Sequence, residues 1–477
     1  MIKYYFSIIA FAVFLSACSS PPAKVGMARI DAEEAAGNFA EATRMIDFYI
    51  AENTLSPAAV YELNVRKDLM QRIRLDFGKD RAAVEEYISR YYPDVDDEML
   101  ARWEKAKTLE GMVIDGKKWY YNRAASNLFR LDKEAKARKA EIDATADEKS
   151  VLPLHLSEIV NALSKSGKTQ APPVNMRVKY ELTLKPNAIP DGETVRCWLP
   201  YPREDHRRQT NVQLLSANSD HYVISPAEYA HRTIYMEKTT QKDEPLTFAI
   251  EFTYRYAAEW FNIQEKTIQP CDTQTELYQT FTAERPPHVV FTDTIKAISQ
   301  RIAGSEKNPY LKLKKLFEWI NTTFPWAGAR EYSTLQNIPQ YVVENGHGDC
   351  GQVTLLLITL ARYNGIPARW QSGFQMQPGN LNMHDWGEYY IEGVGWIPVD
   401  QSYGIKNYND NDDIRYFYAN GIDAYRWIVN SDFSQPLFPA KIFWRSDDVD
   451  FQRGELEWRG GNIYYNLWTW DMEVTYE

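Results

Sequence analysis

From Met176 to Leu184 the chain reads M-R-V-K-Y-E-L-T-L, with apolar and polar side chains in alternation, and that period predicts a strand with one buried face. Thr194 to Leu199, Val212 to Leu215, Arg232 to Glu237 and Thr247 to Tyr256 carry the same pattern between turn residues. Together they predict a β-sandwich-like domain over residues 172–262. Upstream the period is different. Residues 28–167 place apolar side chains at helical spacing, and Leu131 to Lys149, dense in Lys, Glu, Asp and Ala, predicts a solvated helix. The stretch K-T-Q-A-P-P-V-N (168–175) marks the boundary between the two periods. From Gln264 the pattern is mixed. Helices are predicted at Asp293–Ile302, Leu311–Asn321 and Val353–Arg362, the last almost wholly apolar and so buried, with Gly365 as C-terminal cap and Pro367 beyond it. Strands follow at Ala368–Phe374, Trp386–Ile391 and Trp396–Val399. A tail hairpin is predicted from Val449–Trp458, a Gly460-Gly461 turn and Asn462–Tyr476. The expected fold class is multidomain α+β: an N-terminal helical region, a β-sandwich-like domain, and a mixed domain over 264–477 with a C-terminal β extension.

The first residues do not fit that scheme. Lys3 opens a positive region, an apolar run too short to span a bilayer follows, and then Leu15-Ser16-Ala17-Cys18. This resembles a bacterial lipobox. It implies a signal peptide over 1–17, acylation of Cys18, and a tether over 18–27. The expected location is the bacterial cell envelope, lipid-anchored at the outer membrane, with the face left open. A plain secretory signal with a chance cysteine is the alternative. Net charge is −11 and no basic stripe is present, which disfavours nucleic acid as a partner. The aromatic share of 14% fits either ligand-stacking surfaces or sheet packing.

Without Cys18 the cysteines are Cys197, Cys271 and Cys350, an odd number, so in an exported protein at least one thiol lacks an intramolecular partner. A Cys197–Cys271 bridge and two free, buried thiols are both open. Cys350, in N-G-H-G-D-C-G-Q, has four readings: nucleophile, half of a disulfide, metal ligand, or small core residue. It precedes the apolar helix, where helix-end N–H groups stabilise a thiolate and its own N–H can serve an oxyanion. His384 and Asp400 flank a hairpin that would bring an imidazole and a carboxylate onto neighbouring strands. Centred on Val394, however, a symmetric hairpin leaves them offset by about four residues, roughly 13 Å. No second Cys or His pair has zinc-ligand spacing, so no metal or other cofactor is implied. His347 reads as a loop residue. Asp349 and Asp385 read as solvated or structural, and Asp385 cannot share a strand face with His384. Trp370, Trp386 and Trp396 fit an apolar acyl site or plain sheet packing.

The order G-D-C-G-Q, L-A-R-Y-N-G-I-P-A-R-W-Q-S-G-F, H-D-W-G-E-Y-Y and G-W-I-P-V-D-Q-S-Y-G, spanning 348–404, resembles the transglutaminase-like superfamily. The resemblance implies a papain-like α+β core at about 285–404. It implies Cys350 as nucleophile, His384 as general base and acid, Asp400 as the orienting carboxylate, and Trp326 as an oxyanion candidate. The implied chemistry is attack on an amide or peptide carbonyl through a thioester, with hydrolysis favoured over transamidation, on a peptide, protein or glycopeptide. A peptide:N-glycanase-like glycopeptide amidase is one alternative. A non-catalytic anchored binding protein is another. Oligomeric state is open.

Overall fold

The computed structural model describes residues 26–143, 151–263, 268, 269 and 271–477. The signal peptide, Cys18 and nearly all of the tether lie outside the described residues, as does the end of the helix expected to reach Lys149.

Two compact units are present. The smaller contains residues up to Leu75 together with Met112–Trp119. Its helices Met27–Ala35 and Phe39–Glu52 bury Ile30, Phe39, Ala42 and Ile46. A hairpin of strands Gly111–Ile114 and Lys117–Tyr120 interrupts the region expected to be helical throughout. Its turn is Asp115-Gly116, both at positive φ, the pairing that tight hairpins favour. The signal was in the sequence but too short to offset the helical periodicity around it.

The larger unit holds the rest. Its sandwich has one sheet ordered Trp468–Tyr476, Val174–Leu184, Leu246–Tyr256, Gln209–Ala217. The other runs Gly461–Ile463, Glu455–Trp458, Thr194–Pro200, Thr233–Thr239, Tyr222–Ile224. The expected alternation holds: Met176, Val178, Tyr180, Leu182 and Leu184 are buried, as are Phe248, Ile250, Phe252, Tyr254 and Tyr256 on the partner strand. Two expectations need correction. The sandwich is not confined to 172–262, and residues 455–476 do not extend the mixed domain. Glu455–Trp458 turns back into Gly461–Ile463, whereas Trp468–Tyr476 crosses to the other sheet and pairs with Val174–Leu184. Alternation predicts a strand but not its partner.

Between these sandwich segments runs the layer that carries the candidate chemistry. A four-stranded antiparallel sheet is ordered Gly395–Val399, Asn380–Ile391, Ala368–Gln377, Arg426–Asn430. The helix Cys350–Tyr363 is buried along most of its length and packs on this sheet, flanked by Asp293–Ile302 and Pro309–Thr323. Close strand approach requires Gly373: at φ 156° a Cβ there would fall on the Trp427 carbonyl. Tyr180 and Trp470 from the sandwich meet Phe374 and Trp427 from the sheet, so the two layers share one aromatic core.

Candidate active site

Cys350 is the first residue of its helix. Asp349 caps that helix, its carboxylate accepting from Gln352 N at 3.0 Å while the Gln352 side chain accepts from Asp349 N at 3.3 Å. Half-buried, the thiol lines a cleft of about 360 Å³ together with Asp349, Asp385, Tyr332 and Trp326. Of the two readings left open for the other cysteines, the bridge is not formed: Cys197 is free and fully buried in the sandwich, and Cys271 is free and half-buried.

The neighbours of the thiol differ from the expectation. Cys350 Sγ lies 3.2 Å from Asp385 Oδ2. The Tyr332 hydroxyl lies 2.7 Å from Asp349 Oδ1 and 3.2 Å from Asp385 Oδ2. Asp385 is buried and Asp349 half-buried, and both are tied to Tyr332, which fits the structural reading of the pair. Burial, with the carboxyls of Asp385 and Asp349 beside it, pushes the Cys350 thiol well above its usual range. The helix-end partial charge of about half a unit does not overcome desolvation plus two acidic neighbours. The thiolate expected from helix position alone is therefore not the resting form.

His384 and Asp400 come together. Nε2 of His384 is 2.7 Å from Oδ2 of Asp400, which the Arg426 guanidinium approaches to 2.9 Å. Tyr403 N donates to the other carboxylate oxygen at 2.9 Å. Against the cost of burial, the imidazole and Arg426 draw the Asp400 carboxyl down to about 2. The expected offset of about four residues is halved by register, and the side chains span the two residues that remain. Ile391 pairs with Gly395, so the hairpin is centred on Gly393, not Val394.

Strand alternation separates His384 from Asp385. Asp385 and Gly387 face the cysteine helix, meeting Cys350, Gly351, Thr354 and Ile358. His384 points to the face that carries Asp400 and Arg426. Among the described residues no hydrogen bond joins Cys350 to His384. Glu388, two positions beyond Trp386 in the same motif, is fully buried and held well below the usual carboxylate range by Arg369 and Arg208, against the cost of burial. It is an anchor between sheet and sandwich.

Trp326 is no core residue: it is 39% exposed on the cleft rim, with the Arg130 guanidinium 4.7 Å from its ring centre. Its segment runs parallel to Gly348, and Ala327 N donates to Gly348 O at 3.1 Å. His347 is a buried loop residue, its Nδ1 3.0 Å from the Asn345 carbonyl. Sequence reasoning missed the part of the helical region that supports this wall. Asn127 clamps the Gly328 backbone with two 2.9 Å hydrogen bonds, the Tyr121 hydroxyl donates to Ala329 O, and Asp76 accepts from Glu331 N at 3.1 Å. No local signal announces such long-range contacts.

With this geometry in hand, comparison with known families is specific. Residues 296–401 match the family described as the transglutaminase-like superfamily. These residues form a transglutaminase-like domain. It contains Trp326, Cys350, His384 and Asp400. An uncharacterized Haemophilus influenzae protein is 24% identical over 253 residues, 47% of this chain and 67% of its own length. The uncharacterized Bacillus subtilis protein YebA is 24% identical over 168 residues, 32% of this chain and 21% of its own. Among solved structures, a proposed cysteine protease from Cytophaga hutchinsonii covers 65% of this chain and 91% of its own, at 13% identity and a TM-score of 0.44. The periplasmic domain of TgpA from Pseudomonas aeruginosa, bound to ethylmercury, covers 54% and 96%, at 15% identity and a TM-score of 0.25. The match of 296–401 begins about ten residues inside the start expected for the core and ends at its last motif.

Proposed function

We propose that the transglutaminase-like domain is a cysteine-dependent enzyme that opens amide or peptide bonds through a thioester on Cys350, with water as the favoured acceptor. The observation that carries this reading is a free, half-buried thiol at a helix start in a cleft, in the same domain as a bonded His384–Asp400 pair. Because Asp400 occupies Nε2, Nδ1 is the imidazole atom left to exchange a proton. In this structure the thiol is bonded to Asp385 on one face of the strand and His384 lies on the other, so residues 384 and 385 must rearrange before that nitrogen can take the thiol proton. Sγ then attacks the carbonyl carbon, His384 returns the proton to the leaving amine, and water resolves the thioester. The backbone N–H of Cys350 and the Trp326 indole are the oxyanion donors in this reading.

The test is turnover on cell-wall peptides, glycopeptides and glutamine-containing peptides, read as released ammonia or new chain ends. Loss of turnover in Cys350→Ala and His384→Ala supports the mechanism, and the responding substrate identifies the acyl donor. Undiminished turnover in Cys350→Ala would falsify it. Binding without turnover in any of the three pools would favour the anchored binding protein.

We further propose attachment to the cell envelope through lipid on Cys18. Metabolic labelling with a fatty acid, lost in Cys18→Ser, is the expected result, and label retained in that variant sinks the proposal.

A further inference from the structure

In this structure the partner of the Cys350 thiol is Asp385, and that carboxyl is fixed from several sides. Its Oδ2 meets Sγ and the Tyr332 hydroxyl, each at 3.2 Å, while Oδ1 accepts from Gln452 Nε2 at 2.8 Å. Gln452 Nε2 also lies 3.0 Å from the carbonyls of Gly373 and His384, so its two hydrogens are shared among three acceptors. Gly351 makes room for the arrangement: a Cβ there would fall on the Tyr332 hydroxyl and 2.6 Å from Asp385 Oδ2.

The hydrogens in this cluster can be counted. Tyr332 has one hydroxyl hydrogen, yet its oxygen is within bonding distance of both Asp349 and Asp385. It can donate to only one, so the other contact is bonded only if that carboxyl is in its acid form and donates back. The surroundings select Asp385. Burial first, then the neighbouring carboxyls of Asp450, which also hydrogen-bonds to it from the C-terminal segment, and of Asp349, on the helix cap, hold Asp385 well above the usual carboxylate range. Farther around the cleft are Glu331, Asp447 and Arg123, with Arg453 committed to Glu331. Among the described residues no cation pairs with Asp385.

We propose that Asp385 is a positioning residue that governs the proton on Cys350, through a shared-proton cage it forms with Tyr332 and Asp349. This rests on the reading of Cys350 as nucleophile. At rest the cage keeps sulfur as thiol. When a base withdraws the proton, the S–H electron pair stays on sulfur, and the acid form of Asp385 can donate its O–H to the thiolate. The cage thus disfavours a bare reactive sulfur and still offers a donor once the anion exists.

The experiment is the rate of Cys350 alkylation by iodoacetamide across a pH series, read by mass spectrometry on the full chain, with folding checked by thermal melting. In Asp385→Ala, which removes the acid O–H offered to the thiolate, the midpoint rises, and the rate at neutral pH falls roughly tenfold per unit of midpoint shift. An unchanged or lowered midpoint in a folded Asp385→Ala protein overturns the proposal. If that variant does not fold, Asp349→Asn decides, because Asn keeps the helix cap while removing the second carboxyl. There a lowered midpoint supports the cage and an unchanged one overturns it. A merely structural role would move the melting temperature and not the midpoint. If Cys350 alkylation shifts as expected while turnover survives Cys350→Ala, the nucleophile reading fails and the cage stands.

Discussion

His384 Nε2 lies 2.7 Å from Asp400 Oδ2, and the same oxygen is 2.9 Å from Arg426. One carboxylate thereby holds the imidazole and offsets a fully buried guanidinium. Asp400→Asn is expected to lower turnover by about 10²–10⁴-fold, the range associated with loss of acid–base function. It also leaves Arg426 paired with Asp423, so stability should drop by less than the roughly 3–5 kcal/mol of a buried charge left wholly unpaired. The acid response follows from the Asp400 carboxyl, which is drawn down to about 2 from an ordinary value of 3.8. A depressed carboxyl stabilises the fold above its unfolded value and loses that contribution as pH falls toward 2. The parent melting temperature should therefore fall through that window more steeply than the variant's.

Asp76 predicts the opposite sign. Burial and the charge of Glu331 push its carboxyl up to about 7. The fold favours the acid form, so the stabilisation is full below the unfolded value near 4 and is lost as pH rises through about 7. Asp76→Asn keeps an acceptor for Glu331 N and removes the buried charge. Above neutral pH it should be more stable than the parent, by on the order of 1–3 kcal/mol, and a melting series over pH should show the gain vanish in acid.

Asn127 bonds both backbone groups of Gly328, in the loop that bears Trp326 and Tyr332. Asn127→Ala leaves a buried N–H and C=O unpaired, at a cost of about 1–3 kcal/mol each. Turnover should fall although residue 127 belongs to the helical region and not to the transglutaminase-like domain. Unaltered kinetics with a lowered melting temperature would confine Asn127 to a structural role.

Gly351→Ala sets two effects against each other. Alanine in a helix gains up to about 1 kcal/mol over glycine. Here its methyl would strike the Tyr332 hydroxyl and approach Asp385 Oδ2 to 2.6 Å, in a packed site where extra volume costs about 1–3 kcal/mol. The clash should win. Denaturant titration should show net destabilisation, and the alkylation profile of Cys350 should change with it.

Periodicity carried much of the fold because so many elements are amphipathic: Asp293–Ile302 matches its expected bounds, and the buried alternation of Val174–Leu184 was plain in the letters. What period does not encode is pairing. Trp468–Tyr476 reads as a strand, but only its register with Val174–Leu184 assigns it to the sandwich. In the site, motif order led to Cys350, His384 and Asp400, and alternation gave opposite faces for His384 and Asp385. That Asp385 faces the thiol depends on how the helix lies across the sheet. The Asn127 clamp, two hundred and one residues from Gly328, has no local signature.

The sandwich also bears on the order of synthesis. Val174–Leu184 leaves the ribosome long before Trp468–Tyr476, its neighbour in the finished sheet. Until then one sheet has an open edge, and Thr194–Pro200 waits likewise for Glu455–Trp458. Open edges are templates for wrong pairing, so this nascent chain is vulnerable while the transglutaminase-like domain is being made. A fragment cut at residue 264 would inherit stray strands on one side and unpaired edges on the other. The transglutaminase-like domain is threaded through its support and is not a cassette that can be lifted out.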